Sequence, residues 1–153
     1  MVYILIVAGI FFLDFGIKHY VDTHRDLKEK TPVLNGKIII RKYYNKGAAL
    51  NFLEKQPQVM RKIQTVLMAA VGGSFLILLP KKGMVGKKTA LGFILGGGAS
   101  NLYDRYKKGH VVDYFSFHSK WKRFSNIVFN ISDFFIFLGS ALLLFSGIEK
   151  KEK

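Results

Sequence analysis

Cysteine is missing from this 153-residue chain. Its absence excludes a disulfide framework and thiolate chemistry, and removes one guide to redox compartment. Acidic residues are scarce as well: 10 Asp and Glu stand against 24 Lys and Arg, a formal charge of +14. A soluble basic protein of this size would point to nucleic acid. Here, however, the cations lie between apolar blocks rather than along a helix face with stacking aromatics, so a nucleic-acid partner is not expected. The 4 His have no spacing that sets two imidazoles on one helix face, so no metal is expected. GGGASN (96–101) departs from the dinucleotide-loop pattern and follows no strand, which leaves no cofactor to expect.

What the chain does have is apolar sequence. Half of its residues are hydrophobic, with 14 Phe and 7 Tyr, and four apolar segments appear at about 2–21, 62–79, 89–104 and 125–148. The first lacks a basic leading region and a small-residue cleavage site, so it reads as a retained membrane helix. The second, IQTVLMAAVGGSFLILL, is closed by Pro80. The third is short and Gly-rich. Its weak hydropathy suits a helix packed among others, and Gly92 and Gly96 have the small-xxx-small spacing of close helix contacts.

Four spans put both ends on one side. The basic linker PKKGMVGKK and the tail EKKEK favour a cytoplasmic N- and C-terminus. The outer connections are then about 22–61 and 105–124. The first has turn signals at Asn35-Gly36 and Asn45-Lys46-Gly47 around a β-branched and aromatic run; the second contains GHVVDYFSF, again strand-like. The fold class is an α-helical integral membrane protein, one domain with four transmembrane helices and a small extracytoplasmic β element.

Several polar groups fall where a bilayer should not tolerate them. In the fourth segment Asn126, Asn130 and Asp133 recur at i, i+4 and i+7, one helix face that Ser140 extends. This stripe is either an Asn–Asp network joining helices or the seat of a functional carboxylate. Asn101, Asp104 and Arg105 end the third segment, with Asp104 and Arg105 readable as an interfacial ion pair. Asp14 and Lys18 are spaced i, i+4 in the favourable order, which reads first as a structural salt bridge. Asp113 follows Val111-Val112 and precedes Tyr114-Phe115, an apolar setting that should desolvate it. Were Asp113 and Asp133 to converge, repulsion and burial would leave them sharing one proton, the arrangement of an aspartic protease.

Four blocks in order carry a resemblance: LDFGIK (13–18), YNKGAAL (44–50), GGGASNLYDRYKKGHVVDYFSF (96–117) and FNISDFF (129–135). With them the chain resembles lipoprotein signal peptidase, the signal peptidase II family, over nearly its whole length. The resemblance implies a membrane aspartyl endopeptidase of the bacterial cytoplasmic membrane, with a β-cradle on the outer face. Its implied substrates are diacylglyceryl-modified prolipoproteins cut before the lipidated Cys, and it implies Asp113 and Asp133 as the catalytic pair. It further implies Asn45 and Gly47 beside substrate, Asn101, Asp104 and Arg105 in the substrate and active-site shell, Asn130 next to the pair, and Asp14 and Lys18 in a first-helix motif. A monomer among membrane lipids is expected, with an apolar groove between the third and fourth helices for the acyl chains. Leu50, Ser100 and Ser132 depart from the family's usual residues and bear on pocket shape. The rival readings are a small transporter or channel subunit and a relative that binds lipopeptide without cutting it.

Overall fold

The computed structural model describes residues 1–47 and 52–148. Its elements run α1 (Val2–His24), β1 (Lys30–Val33), β2 (Ile38–Asn45), α2 (Pro57–Leu78), α3 (Val85–Lys107), β3 (Val111–Phe117), a short α4 (Lys122–Ser125) and α5 (Ile131–Ile148). The fold is mostly helical, with one antiparallel sheet in the order β1-β2-β3. Among the described residues, α1 and α2 are long and apolar enough to cross a membrane, and α5 carries the shorter apolar stretch Ile131–Ser146.

Helix α3 lies at the centre, against α1, α2 and α5. Three consecutive glycines make this possible, because successive positions on a helix point about 100° apart. A Cβ on Gly96 would lie 2.9 Å from the Val7 carbonyl of α1, and one on Gly97 2.5 Å from the Ser132 carbonyl of α5. One on Gly98 would meet the Met68 sulfur of α2. Each missing side chain thus admits a different neighbour, and the low hydropathy of the segment follows from its being enclosed by protein. Gly139 of α5 repeats the device 2.6 Å from the Ala90 carbonyl. The α3–α5 seam is therefore closed by backbone contact at both points.

The sheet follows the sequence signals. Leu34, Asn35 and Gly36 turn the chain at positive φ values of 51, 55 and 79° between β1 and β2. Strand β3 pairs with β2 so that Tyr43 faces Asp113 and Asn45 faces Val111, with an irregularity between Ile40 and Tyr43. The alternation of a strand sends Val112 and Tyr114 toward α1, where they form a small core with Val21 and Ile17, and turns Asp113 to the opposite face. Asp22, near the end of α1, accepts from Tyr44 at 2.8 Å and from Lys108 at 3.0 Å, tying helix and sheet together.

One boundary differs from expectation. The fourth apolar segment is not helical from residue 125; α5 begins at Ile131. The residues before it are extended, and Phe129 forms a bridge with Phe115 through hydrogen bonds of 2.7 and 3.0 Å. Phe115, Phe117, Phe124, Phe129 and Phe134 pack their rings around that bridge, with centroids 5.6 to 6.3 Å apart. Aromatic packing here favours an extended segment over another helical turn. Asn126 is exposed in a turn and Ser140 is exposed on α5, so neither belongs to the polar stripe expected of them.

Candidate active site

The extended segment delivers Asn130 to the start of α5, where it caps the helix. Its side-chain oxygen accepts from the Asp133 backbone N–H at 3.0 Å, and its own backbone N–H donates to Asp133 Oδ2 at 3.1 Å. This reciprocal pair is a capping box with aspartate at the third helical position. The Asn-x-x-Asp spacing thus works as a helix start rather than as two positions on one helical face. It fixes the Asp133 carboxylate where the helix dipole favours negative charge.

The other carboxylate is brought in by the sheet. Asp113 is 1% exposed and accepts from Asn45 Nδ2 at 2.9 Å and from Asn130 Nδ2 at 2.6 Å. Asn45 reaches it diagonally across the β2–β3 ladder and also accepts the Gly47 N–H at 3.0 Å, which shapes the turn behind it. Asn130 therefore holds both acids, Asp113 by its side-chain amide and Asp133 by its backbone. Burial, and then the neighbouring Asp133 charge, push the Asp113 carboxyl up to about 8. A carboxyl raised this far holds its proton at neutral pH.

Behind this pair lies a second polar layer. Asn101 of α3 donates to Asp133 Oδ1 at 3.0 Å, and its oxygen receives Asn130 Nδ2 at 3.1 Å and Lys18 Nζ at 2.6 Å. Lys18 also lies 2.7 Å from Asp14 Oδ2 and 3.5 Å from Asp104. The Asp14–Lys18 pair is thus both a salt bridge, as its spacing suggested, and the rear wall of the site. Asp104 does not pair with Arg105. It accepts the Val112 N–H at 3.1 Å and lies 3.4 Å from Lys108, anchoring β3 to the end of α3. Arg105, buried, donates instead to the Gly47 carbonyl, so the expected ion pair is replaced by two separate tethers.

The ten residues that the resemblance implies for the site all lie in or beside this assembly, whereas Asn126 and Ser140 do not. A Cβ on Gly47 would run into the backbone of Phe52 and Glu54, so that turn requires glycine. Leu50 lies outside the described residues. Missing from the sequence reading is Tyr114, whose hydroxyl donates to Asp14 Oδ1 at 2.9 Å and accepts the Ile131 N–H at 2.9 Å. Its neighbour Asp113 drew attention, and alternation along the strand was the available hint that Tyr114 faces the other way.

Comparison with known proteins agrees with this architecture. A family model for signal peptidase (SPase) II matches residues 6–148. A lipoprotein signal peptidase from Mesorhizobium japonicum is 34% identical over 95% of this chain and 84% of its own length. One from Clostridioides difficile is 33% identical, covering 94% of this chain and 92% of that one. A solved structure described as a bacterial membrane enzyme superposes with a TM-score of 0.83 at 20% identity, covering 98% of this chain and 89% of that one, a likeness of fold. With the family model matched along almost all of the sequence and relatives at 33 and 34% identity over most of it, this chain belongs to the signal peptidase II family.

Proposed function

We propose that this protein is an aspartyl endopeptidase that removes signal peptides from diacylglyceryl-modified prolipoproteins, cutting before the lipidated Cys, with Asp113 and Asp133 as its catalytic pair. The observation that carries this reading is the double hold of Asn130, which fixes a buried Asp113 and a helix-capping Asp133 side by side. Membership of the family supplies the reaction class.

In the proposed cycle Asp113 starts protonated, as its burial favours, and Asp133 starts ionised at the positive end of α5. Asp133 takes a proton from water as the oxygen attacks the scissile carbonyl carbon. Asp113 gives its proton to the carbonyl oxygen, forming a neutral tetrahedral diol. Collapse returns a proton from the diol to Asp113 while Asp133 passes its own to the departing nitrogen. The products are a carboxylic acid and an amine, and the pair regains its starting state. Arg105, held to the Gly47 turn, and Asn45 position the strand side of the cleft.

The same reading makes α1, α2, α3 and α5 four membrane spans of one domain, with both termini cytoplasmic and the sheet on the outer face of the cytoplasmic membrane. Exposed apolar side chains on α5, among them Phe137 and Leu138, and on α2, among them Val66 and Leu67, offer surface to acyl chains and membrane lipid. A transport path would need the polar stripe to continue along α5. Ser140 instead returns its hydroxyl to the Ile136 carbonyl of its own helix at 2.7 Å.

The test is cleavage of a synthetic diacylglyceryl-modified peptide by the purified full chain and by Asp113→Asn and Asp133→Asn, each checked for membrane insertion and thermal unfolding. Both folded variants should lose turnover. Retained turnover in either overturns the assignment.

A further inference from the structure

Ser100 and Ser132 stand directly before Asn101 and Asp133, and both hydroxyls converge on one atom. Each donates to Asp14 Oδ2 at 2.6 Å, from α3 and α5 respectively, and both serines are withdrawn from solvent. The directions of these bonds are forced. An ionised carboxylate only accepts, so each serine must spend its single proton on Asp14; an ammonium only donates, so the Ser100 oxygen is left to accept from Lys18 at 3.1 Å. Lys18 then has its three protons on Asp14, Ser100 and Asn101.

The consequence reaches the catalytic pair. Because Lys18 carries no acceptor, the Asn101 amide must turn its oxygen to Lys18 and its NH2 to Asp133 Oδ1. A flipped Asn101 would present oxygen to oxygen at Asp133. We infer that Ser100 and Ser132 are positioning residues for the proposed cleavage: they pin Asp14 and Lys18 so that Asn101 holds its donor against Asp133. The inference rests on the proteolytic reading above. Without the serines, Asp14 Oδ2 keeps Lys18 as its sole donor, the pair gains room to swing, and the Asn101 oxygen is left with only the weaker Asn130 Nδ2 donation at 3.1 Å as a fixed partner.

The test uses the full chain in detergent or proteoliposomes with the same diacylglyceryl-modified peptide, comparing Ser100→Ala, Ser132→Ala and the size-matched Ser100→Cys and Ser132→Cys. A thiol fills the space of the hydroxyl but donates weakly. The expected result is a fall in kcat of about tenfold in Ala and Cys variants alike, the scale of one hydrogen bond to a charged group, with KM within about twofold of the parent. Parental kcat in the Ala variants overturns the inference, and so does a Cys variant that recovers parental kcat, since packing would then suffice. Should the serine variants fail to fold, Tyr114→Phe removes the donor on the other Asp14 oxygen: lowered kcat with unchanged KM supports the inference and parental kcat overturns it. A parent protein that leaves the peptide intact overturns the proteolytic reading itself. A parent that cuts, beside serine variants that match it, overturns this inference alone.

Discussion

Asp14 and the Asp113–Asp133 pair belong to one polar network, yet their donors differ in kind. Asp14 receives an ammonium at 2.7 Å, two serine hydroxyls at 2.6 Å and a tyrosine hydroxyl at 2.9 Å. Its charge faces a cation and its position is fixed. Asp113 and Asp133 receive neutral donors, three side-chain amides and one backbone N–H, and among the described residues neither lies in a salt bridge. On the proposed reading, identical functional groups are made structural in one place and reactive in the other by the charge of what surrounds them. A cation against the dyad would hold both carboxylates ionised; amides orient them and leave a proton to be shared.

Removing the cation from the structural side should do the greatest damage. Lys18→Met leaves Asp14 and Asp104 buried without their shared ammonium, and a broken buried ion pair costs about 3–5 kcal/mol. Thermal unfolding in detergent should show a large drop in midpoint, and a parental midpoint would erase the distinction between the two sites.

On the reactive side, Asn130→Ala removes the cap of α5 and the amide shared by Asp113 and Asn101. A lost cap costs about 1 kcal/mol, so the protein should still fold. Turnover of the lipidated peptide should drop by on the order of a hundredfold, as expected when hydrogen bonds to charged groups at a reacting centre are lost. Equal losses of stability and activity would mean that Asn130 is a cap and nothing more.

The gentlest probe is pH. The folded chain raises the Asp113 carboxyl from its ordinary 3.8 to about 8, through burial first and the Asp133 charge second, so it keeps a proton that the unfolded chain releases. The stability this proton contributes is full below the ordinary value and declines as pH rises toward the folded one. Activity that needs the shared proton should follow the same sign: kcat/KM falls as pH rises through about 8, by roughly tenfold per unit beyond it. In Asp113→Asn no such alkaline limb should be present in any residual activity. An alkaline limb unchanged in that variant would assign it to another group.

The two sites were not equally legible in the sequence. Asp133 stood out because a carboxylate in an apolar run demands a reason, and Asp113 because Val-Val and Tyr-Phe flank it. Their helical and strand settings were readable from period and turn residues. The start of α5 was not, because Ile127, Val128 and Phe129 are as apolar as the helix that follows, and hydropathy does not distinguish an extended segment from a helical one. Asn130 three residues before Asp133 was the overlooked cap signal. The Asp14 cage was less accessible still. Ser100, Ser132 and Tyr114 come from α3, α5 and β3, and no spacing along the chain announces that their hydroxyls meet.

The run Gly96-Gly97-Gly98 has an implication for what the chain can tolerate. Because each glycine opens a gap toward a different helix, the stretch encodes an order as well as a composition. Inserting a single residue just before it, with the preceding turns of α3 held in place, would set the inserted side chain toward α1, Gly96 toward α5 and Gly97 toward α2. Length at this point is therefore constrained along with residue identity, because a change that keeps all three glycines still fills the gap toward α1.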